Sequence, residues 1–172
     1  MAVVATKSAA ITLFDASQQT LVSTKILGGR VREAVGVLEV ANGDSIASIL
    51  RLCRIPSRAR ISRVLLSCDA ITSAAGDIGV YQIAANGGAV IDVDHFASAQ
   101  SIASALVNSD VGHEADAADA GAGFGLADVE KPLWQSLGLS ADPQKFYDIA
   151  VTLTAAATAG GTLVLRVQWT DD

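Results

Sequence analysis

Aromatic side chains are scarce in this sequence: two Trp, two Tyr and four Phe among 172 residues. An interface built on one deep aromatic anchor, a common form of hot spot, has little to draw on. Cysteine is also scarce, with Cys53 and Cys68 alone. A disulfide framework shows more cysteines at closer spacing, so both read as small buried hydrophobes on strands. Positive charge is outnumbered, 12 Lys and Arg against 18 Asp and Glu, for a formal net charge of −6. Nucleic-acid binders carry a net basic footprint, and anionic lipid repels an acidic chain, so neither partner fits. Long apolar runs are missing. Asp, Arg or Gly breaks each one well short of the ~20 residues a membrane helix needs. The first fourteen residues lack a charged leader, and Lys7 interrupts their apolar run, unlike a secretory signal. Residence in a cytoplasm until lysis is the expectation.

What is present points to a packed β domain. Hydrophobic residues make up 51% and charged residues 17%, the reverse of a disordered chain. The length suits one domain with a real core. In one C-terminal segment Tyr147, Ile149, Val151 and Leu153 alternate with Asp148, Ala150, Thr152 and Thr154. In the next, Leu163, Leu165, Val167 and Trp169 alternate with polar or smaller residues. Period-two alternation places one apolar row per strand against a core. With Thr158-Ala159-Gly160-Gly161 between them, the two segments read as a hairpin. Val35 to Ile55 reads as a second hairpin around Asn42-Gly43-Asp44. Arg60 to Cys68 reads as a strand after a corner at Pro56, apolar on both faces at Val64-Leu65-Leu66 and so central. Ile78 to Ile83 and Ala89 to Val93 flank Asn86-Gly87-Gly88 as a third hairpin. That makes seven strands, with an eighth at Ile11 to Phe14. The expected fold is all-β, an antiparallel β-sandwich or jelly roll with a short helix and an extended N-terminal arm. The domain reading is an arm over residues 1–32 and a sandwich over 33–172.

Two helical stretches are expected. Asp94 would cap one carrying Phe96, Ala99, Ile102, Ala103 and Leu106 at helical spacing. Lys131 to Leu137 is the other, with Pro132 at its first position and Gly138 just past its end. Residues 108–128 form a Gly/Ala/Asp-rich insert, too polar for core, with Asp116 and Asp119 among its acids.

Catalytic motifs are wanting. Gly121-Ala122-Gly123-Phe124-Gly125 has neither the preceding strand nor the opening helix of a phosphate loop. Asp92, Asp94 and His95 form one acidic-histidine group, and His113, Glu114 and Asp116 another. Both read as solvated polarity rather than a metal site, which needs three or four convergent ligands. No Gly-x-Ser-x-Gly elbow occurs, and no carboxylate pair stands out as acid and base. The expectation is a protein that is not an enzyme and takes no cofactor or metal.

Charge of functional interest is basic. Arg51, Arg54, Arg58, Arg60 and Arg63 are placed on two neighbouring strands and their corner. They read either as a solvated face that discourages edge pairing or as a patch for a partner's carboxylates. Arg30 and Arg32 close the arm, which reads as a segment reaching over a neighbouring subunit, or as a first strand and loop of its own domain. These seven arginines, with Asp116 and Asp119, are the candidate partner-binding residues.

A set of segments resembles small structural proteins of tailed phages. They include Gly28-Gly29-x-Val31-x-Glu33-Ala34-Val35-Gly36, Asn42-Gly43-Asp44-Ser45-Ile46 and Arg54-Ile55-Pro56-Ser57-x-Ala59-Arg60-Ile61. Val64 to Ala70, Asp77-Ile78-Gly79-Val80-Tyr81, Leu137-Gly138-Leu139-Ser140-x-Asp142-Pro143, Tyr147 to Ala150 and Thr154 to Gly161 continue the likeness. Within that group the chain is most similar to the capsid decoration (cement) proteins of short-tailed phages. The resemblance implies a non-enzymatic virion protein, made in the bacterial host cytoplasm and placed on the outer capsid surface. It implies the major capsid protein as partner, head stabilisation by bridging shell subunits, and a homo-oligomer, dimer or trimer. A tail or head-fibre-base component of the same particle is the alternative, and a carbohydrate-binding module a more distant one.

Overall fold

The computed structural model describes residues 7–16, 28–113 and 123–171. Eight strands run in order: β1 (Arg30–Val40), β2 (Ile49–Pro56), β3 (Arg60–Cys68), β4 (Ala75–Gln82), β5 (Val90–Ser101), β6 (Leu106–Asp110), β7 (Phe146–Ala155) and β8 (Gly161–Asp171). They build two antiparallel sheets, β1-β8-β3-β6 and β2-β7-β4-β5. The alternation read from the sequence sets the faces. Leu163, Leu165, Val167 and Trp169 on β8 and Tyr147, Ile149, Val151 and Leu153 on β7 all point into the layer between the sheets. Cys53 and Cys68 are free thiols buried in β2 and β3.

Pairing departs from two of the three expected hairpins. β7 and β8 lie in opposite sheets, as do β1 and β2. The partners are instead β1 with β8, β2 with β7, β3 with β6 and β4 with β5. This is one long antiparallel ribbon, closed by the β4–β5 hairpin and rolled into a jelly roll. The hydrogen bonds continue round its corners. Gly43 N–H donates to Ala157 O at 2.9 Å and Ala157 N–H to Asp44 O at 3.0 Å, so the two presumed hairpin turns lie side by side as paired crossings between sheets. Ser57 N–H to Lys145 O at 2.7 Å joins the second corner. Ile71 N–H to Ile102 O and Ile102 N–H to Ala74 O join the third. A Gly-containing reversal and an alternating strand look alike in sequence whether the chain returns beside itself or crosses to the other sheet.

Three further expectations are corrected. Residues 94–106 are not helical but run through β5 into β6. On β5, Ala97 opposes Ile78 and Asp92 opposes Val80, so residues 93–96 face Gly79 alone. That bulge breaks the period-two pattern and produced the helical spacing. Ile11 to Phe14 belongs to a helix, α1 (Ala9–Phe14), started by the Ser8 hydroxyl, which accepts from Ile11 N–H. The eighth strand is β6. Arg30 and Arg32 lie in β1, inside the sheet rather than in an arm. The second expected helix is present but short, α2 (Leu133–Ser136), with Pro132 as its N-cap and Gly138 at φ +73° beyond its end. No described helix is long and apolar enough to cross a membrane.

Two glycines permit the closest backbone approaches. A Cβ on Gly36 would meet Leu52 O at 2.2 Å, where the β1 and β2 edges seal one side of the sandwich. A Cβ on Gly79 would meet Asp92 O and Val93 O at 2.2 Å, where the β5 bulge folds over its own sheet.

Candidate functional site

The structure separates the arginines that the sequence groups. β2 and β3 are in opposite sheets, so Arg51 and Arg54 face one way and Arg60 and Arg63 the other, with Arg58 in the connection. Arg51 and Arg54 converge on Asp148 of β7, whose side chain is 6% exposed. Arg54 Nε donates to Asp148 Oδ1 at 2.6 Å and a terminal nitrogen to Oδ2 at 3.2 Å. Arg51 reaches Oδ2 at 3.2 Å, then crosses β7 to donate to Gln82 O at 2.8 Å and Gly88 O at 2.6 Å in the β4–β5 turn. Its guanidinium lies 5.2 Å from the ring centre of Tyr81, and the Tyr81 hydroxyl pairs with Thr152. The hydrogen bond to Asp148 holds the Arg54 guanidinium above its ordinary pKa. This outer face is thus filled by an internally paired polar layer. Sequence reasoning missed Asp148 as its centre, since its partners lie 94 and 97 positions away.

Arg30, Arg32, Arg60 and Arg63 lie at one end of the other sheet, beside the last residues of β8, but on different faces: Arg30 and Arg32 are in the inward row of β1, and Arg60 and Arg63 in the outward row of β3. Asp116 and Asp119 lie outside the described residues. The insert expected to avoid the core contributes to it at both ends, since Val111 and Phe124 are each 2% exposed. His113 stacks on Phe124 with ring centres 5.1 Å apart, and its Nδ1–H donates to Phe124 O at 2.9 Å. Glu114 is also outside the described residues.

His95 is a second correction: it is buried, 1% exposed, rather than solvated. Its Nδ1–H donates to Asp92 Oδ2 at 2.9 Å, and Nε2 lies 3.2 Å from Ser136 Oγ, beside a cavity of about 350 Å³. Asp, His and Ser occur here in the order of an acyl-transfer relay. The Ser136 hydroxyl, however, donates to Leu133 O at 2.9 Å, and the imidazole is closed to solvent. The group ties α2 to β5. The hydrogen bond from His95 lowers the Asp92 pKa against the opposing effect of burial. Burial, helped by Asp92, raises that of Asp94. Cys53 is pushed up to about 11 by burial, which suppresses its thiolate.

The outer face of the β1-β8-β3-β6 sheet is different in kind. Val31, Val35 and Val37 of β1 are 61%, 48% and 64% exposed. Opposite Val37 stands Val164, and opposite Val35 stands Arg166, with Leu65 one strand on. Val107 on the β6 edge is 83% exposed. It borders a shallow cavity of about 430 Å³ with Leu106, Val164 and Ala105. The sequence held a signal for this face, Val at alternate positions of β1, but its outward direction depends on which row faces the core.

A chain of the solved cyanophage Pam1 capsid asymmetric unit shares this fold, with a TM-score of 0.54 at 16% identity. The match covers 92% of this chain and 97% of that one, so the whole jelly roll is common to both. No protein-family model matches the sequence, and no curated protein does either.

Proposed function

We propose that this protein is a non-enzymatic structural subunit of a tailed-phage virion, a decoration protein that stabilises the head by bridging neighbouring shell subunits on its outer surface. The observation that carries this reading is the full-length fold match to a similarly sized chain of a phage capsid asymmetric unit. The resemblance of segments from Gly28 onward points the same way. A rigid sandwich held together across its corners can transmit load between neighbours without bond-making. Contacts of about 800 Å² per partner, repeated over a closed lattice, add through effective concentration.

The test is reconstitution. Phage heads assembled without the protein are mixed with it, sedimented and imaged. Many copies over the shell, with improved resistance of filled heads to heat, support the reading. A few copies at one vertex would move the protein to the tail or fibre base. No binding to heads would reject both.

A further inference from the structure

We infer that the outer face of the β1-β8-β3-β6 sheet is a self-association surface, packing on the same face of a second copy across a two-fold axis. The inference goes beyond the proposed head role and stands or falls separately from it.

Four observations converge on this face. It exposes Val35 and Val37 on β1 and Val107 at the β6 edge, with half-buried Val164 on β8 and Leu65 on β3 between them and Arg166 set among them. Soluble monomers rarely leave such a surface uncovered. The cavity beside Val107, which Asp69 and Thr162 also line, offers depth for an incoming long side chain. The size is sufficient: strands of 11, 11, 9 and 5 residues, at ~3.4 Å per residue and ~4.8 Å spacing, give roughly 600 Å² of flat face, close to the ~800 Å² of accessible surface per partner in a standard interface.

The charge layout selects the occupant. Along the strands, one end of the face carries Arg60 and Arg63, beside Thr170 and Gln168 of β8. The other end carries Glu39 and Asp69, both beside Thr162. Glu33, at the arginine end, is paired with a cation, Arg166 at 3.7 Å, and with Gln168 at 3.1 Å, whereas Glu39 and Asp69 take neutral donors, the Thr162 hydroxyl at 2.7 Å and the Thr162 N–H at 3.0 Å. A two-fold axis lying in the interface at right angles to the strands reverses strand direction, so each copy's arginine end lies over the other's acidic end and the outward valines of β1 meet about the axis, beside Arg166. Such an isologous contact is the commonest in soluble oligomers.

Sedimentation velocity on the full chain at tens of micromolar tests this. The expected particle is a dimer. Val37→Lys, on a side chain mostly in solvent, should weaken self-association at least tenfold while leaving circular dichroism unchanged, and its melting curve should match wild type at dilutions where both are monomers. If Val37→Lys fails to fold, Val107→Lys serves in its place. Arg63→Glu and Asp69→Lys should each weaken the dimer, and the double variant should recover most of the loss. A monomer at all concentrations, a three-fold particle, or a dimer indifferent to both lysine variants overturns the inference. Head binding is scored separately, so a dimer that ignores heads would reject the decoration role and leave this surface in place.

Discussion

The two outer faces of this sandwich solve the same problem in opposite ways. On the β2-β7-β4-β5 sheet, Arg51, Arg54, Asp148 and Tyr81 pair with one another, and the β5 bulge closes over Gly79. On the β1-β8-β3-β6 sheet, valines stand in solvent with no covering element among the described residues. The first face spends its side chains on holding its own strands together. The second contributes little to the fold of its own chain, which leaves it free for another. Stability and association should therefore separate by face.

The largest expected effect is at the closed face. Gly79→Ala places a methyl 2.2 Å from two backbone oxygens of the bulge. It should lower stability by more than ~3 kcal/mol or prevent folding, read by urea unfolding. A mild effect would mean that the bulge moves freely, and the contrast between faces would lose its basis.

Next comes Asp148→Ala. Removing a nearly buried carboxylate that anchors two guanidinium groups should cost about 2–4 kcal/mol in the same measurement. Arg166→Ala, which loses a 3.7 Å contact at the open face, should cost under about 1 kcal/mol. Equal losses at the two sites would erase the distinction.

A smaller effect sharpens it through pH. Asp94, on the β5 bulge, has a raised pKa in the fold, so its ionised form weakens the folded state above the usual carboxylate range. Asp94→Asn should raise the unfolding midpoint at pH 7 and change nothing near pH 3. Asp92, held low by His95, has the opposite sign. Its stabilisation is present above its unfolded pKa and fades as pH falls through its folded one. Asp92→Asn should destabilise at pH 7 and match wild type in strong acid. The smallest effect is Val35→Thr on the open face, within about 0.5 kcal/mol of wild type by unfolding.

Much of the sandwich was legible because alternation is a local property. β3 spans Arg60–Cys68 as read, and the inward rows of β7 and β8 are those the sequence assigned. The β4–β5 hairpin was legible for the same reason, with Gly87 and Gly88 at positive φ in its turn. The bulge that made residues 94–106 look helical depends on Gly79, a residue on another strand. The arginine corner looked like one patch because Arg51 to Arg63 are close in sequence, whereas the crossing from β2 to β3 sends them to opposite faces.

By itself the sequence determined which residues could form strands, which row of each strand is apolar, and that an acidic, β-rich fold results. These follow from side-chain period and backbone preference, which act over a few residues. Only the tertiary structure decided that β1 pairs with β8 rather than β2, that Asp148 gathers Arg51 and Arg54, and that Val31, Val35 and Val37 face outward. Each depends on contacts between segments far apart in sequence, 94 and 97 positions for the Asp148 contacts and more for β1 with β8, where the choice is made by the packing of two whole sheets and not by any local pattern.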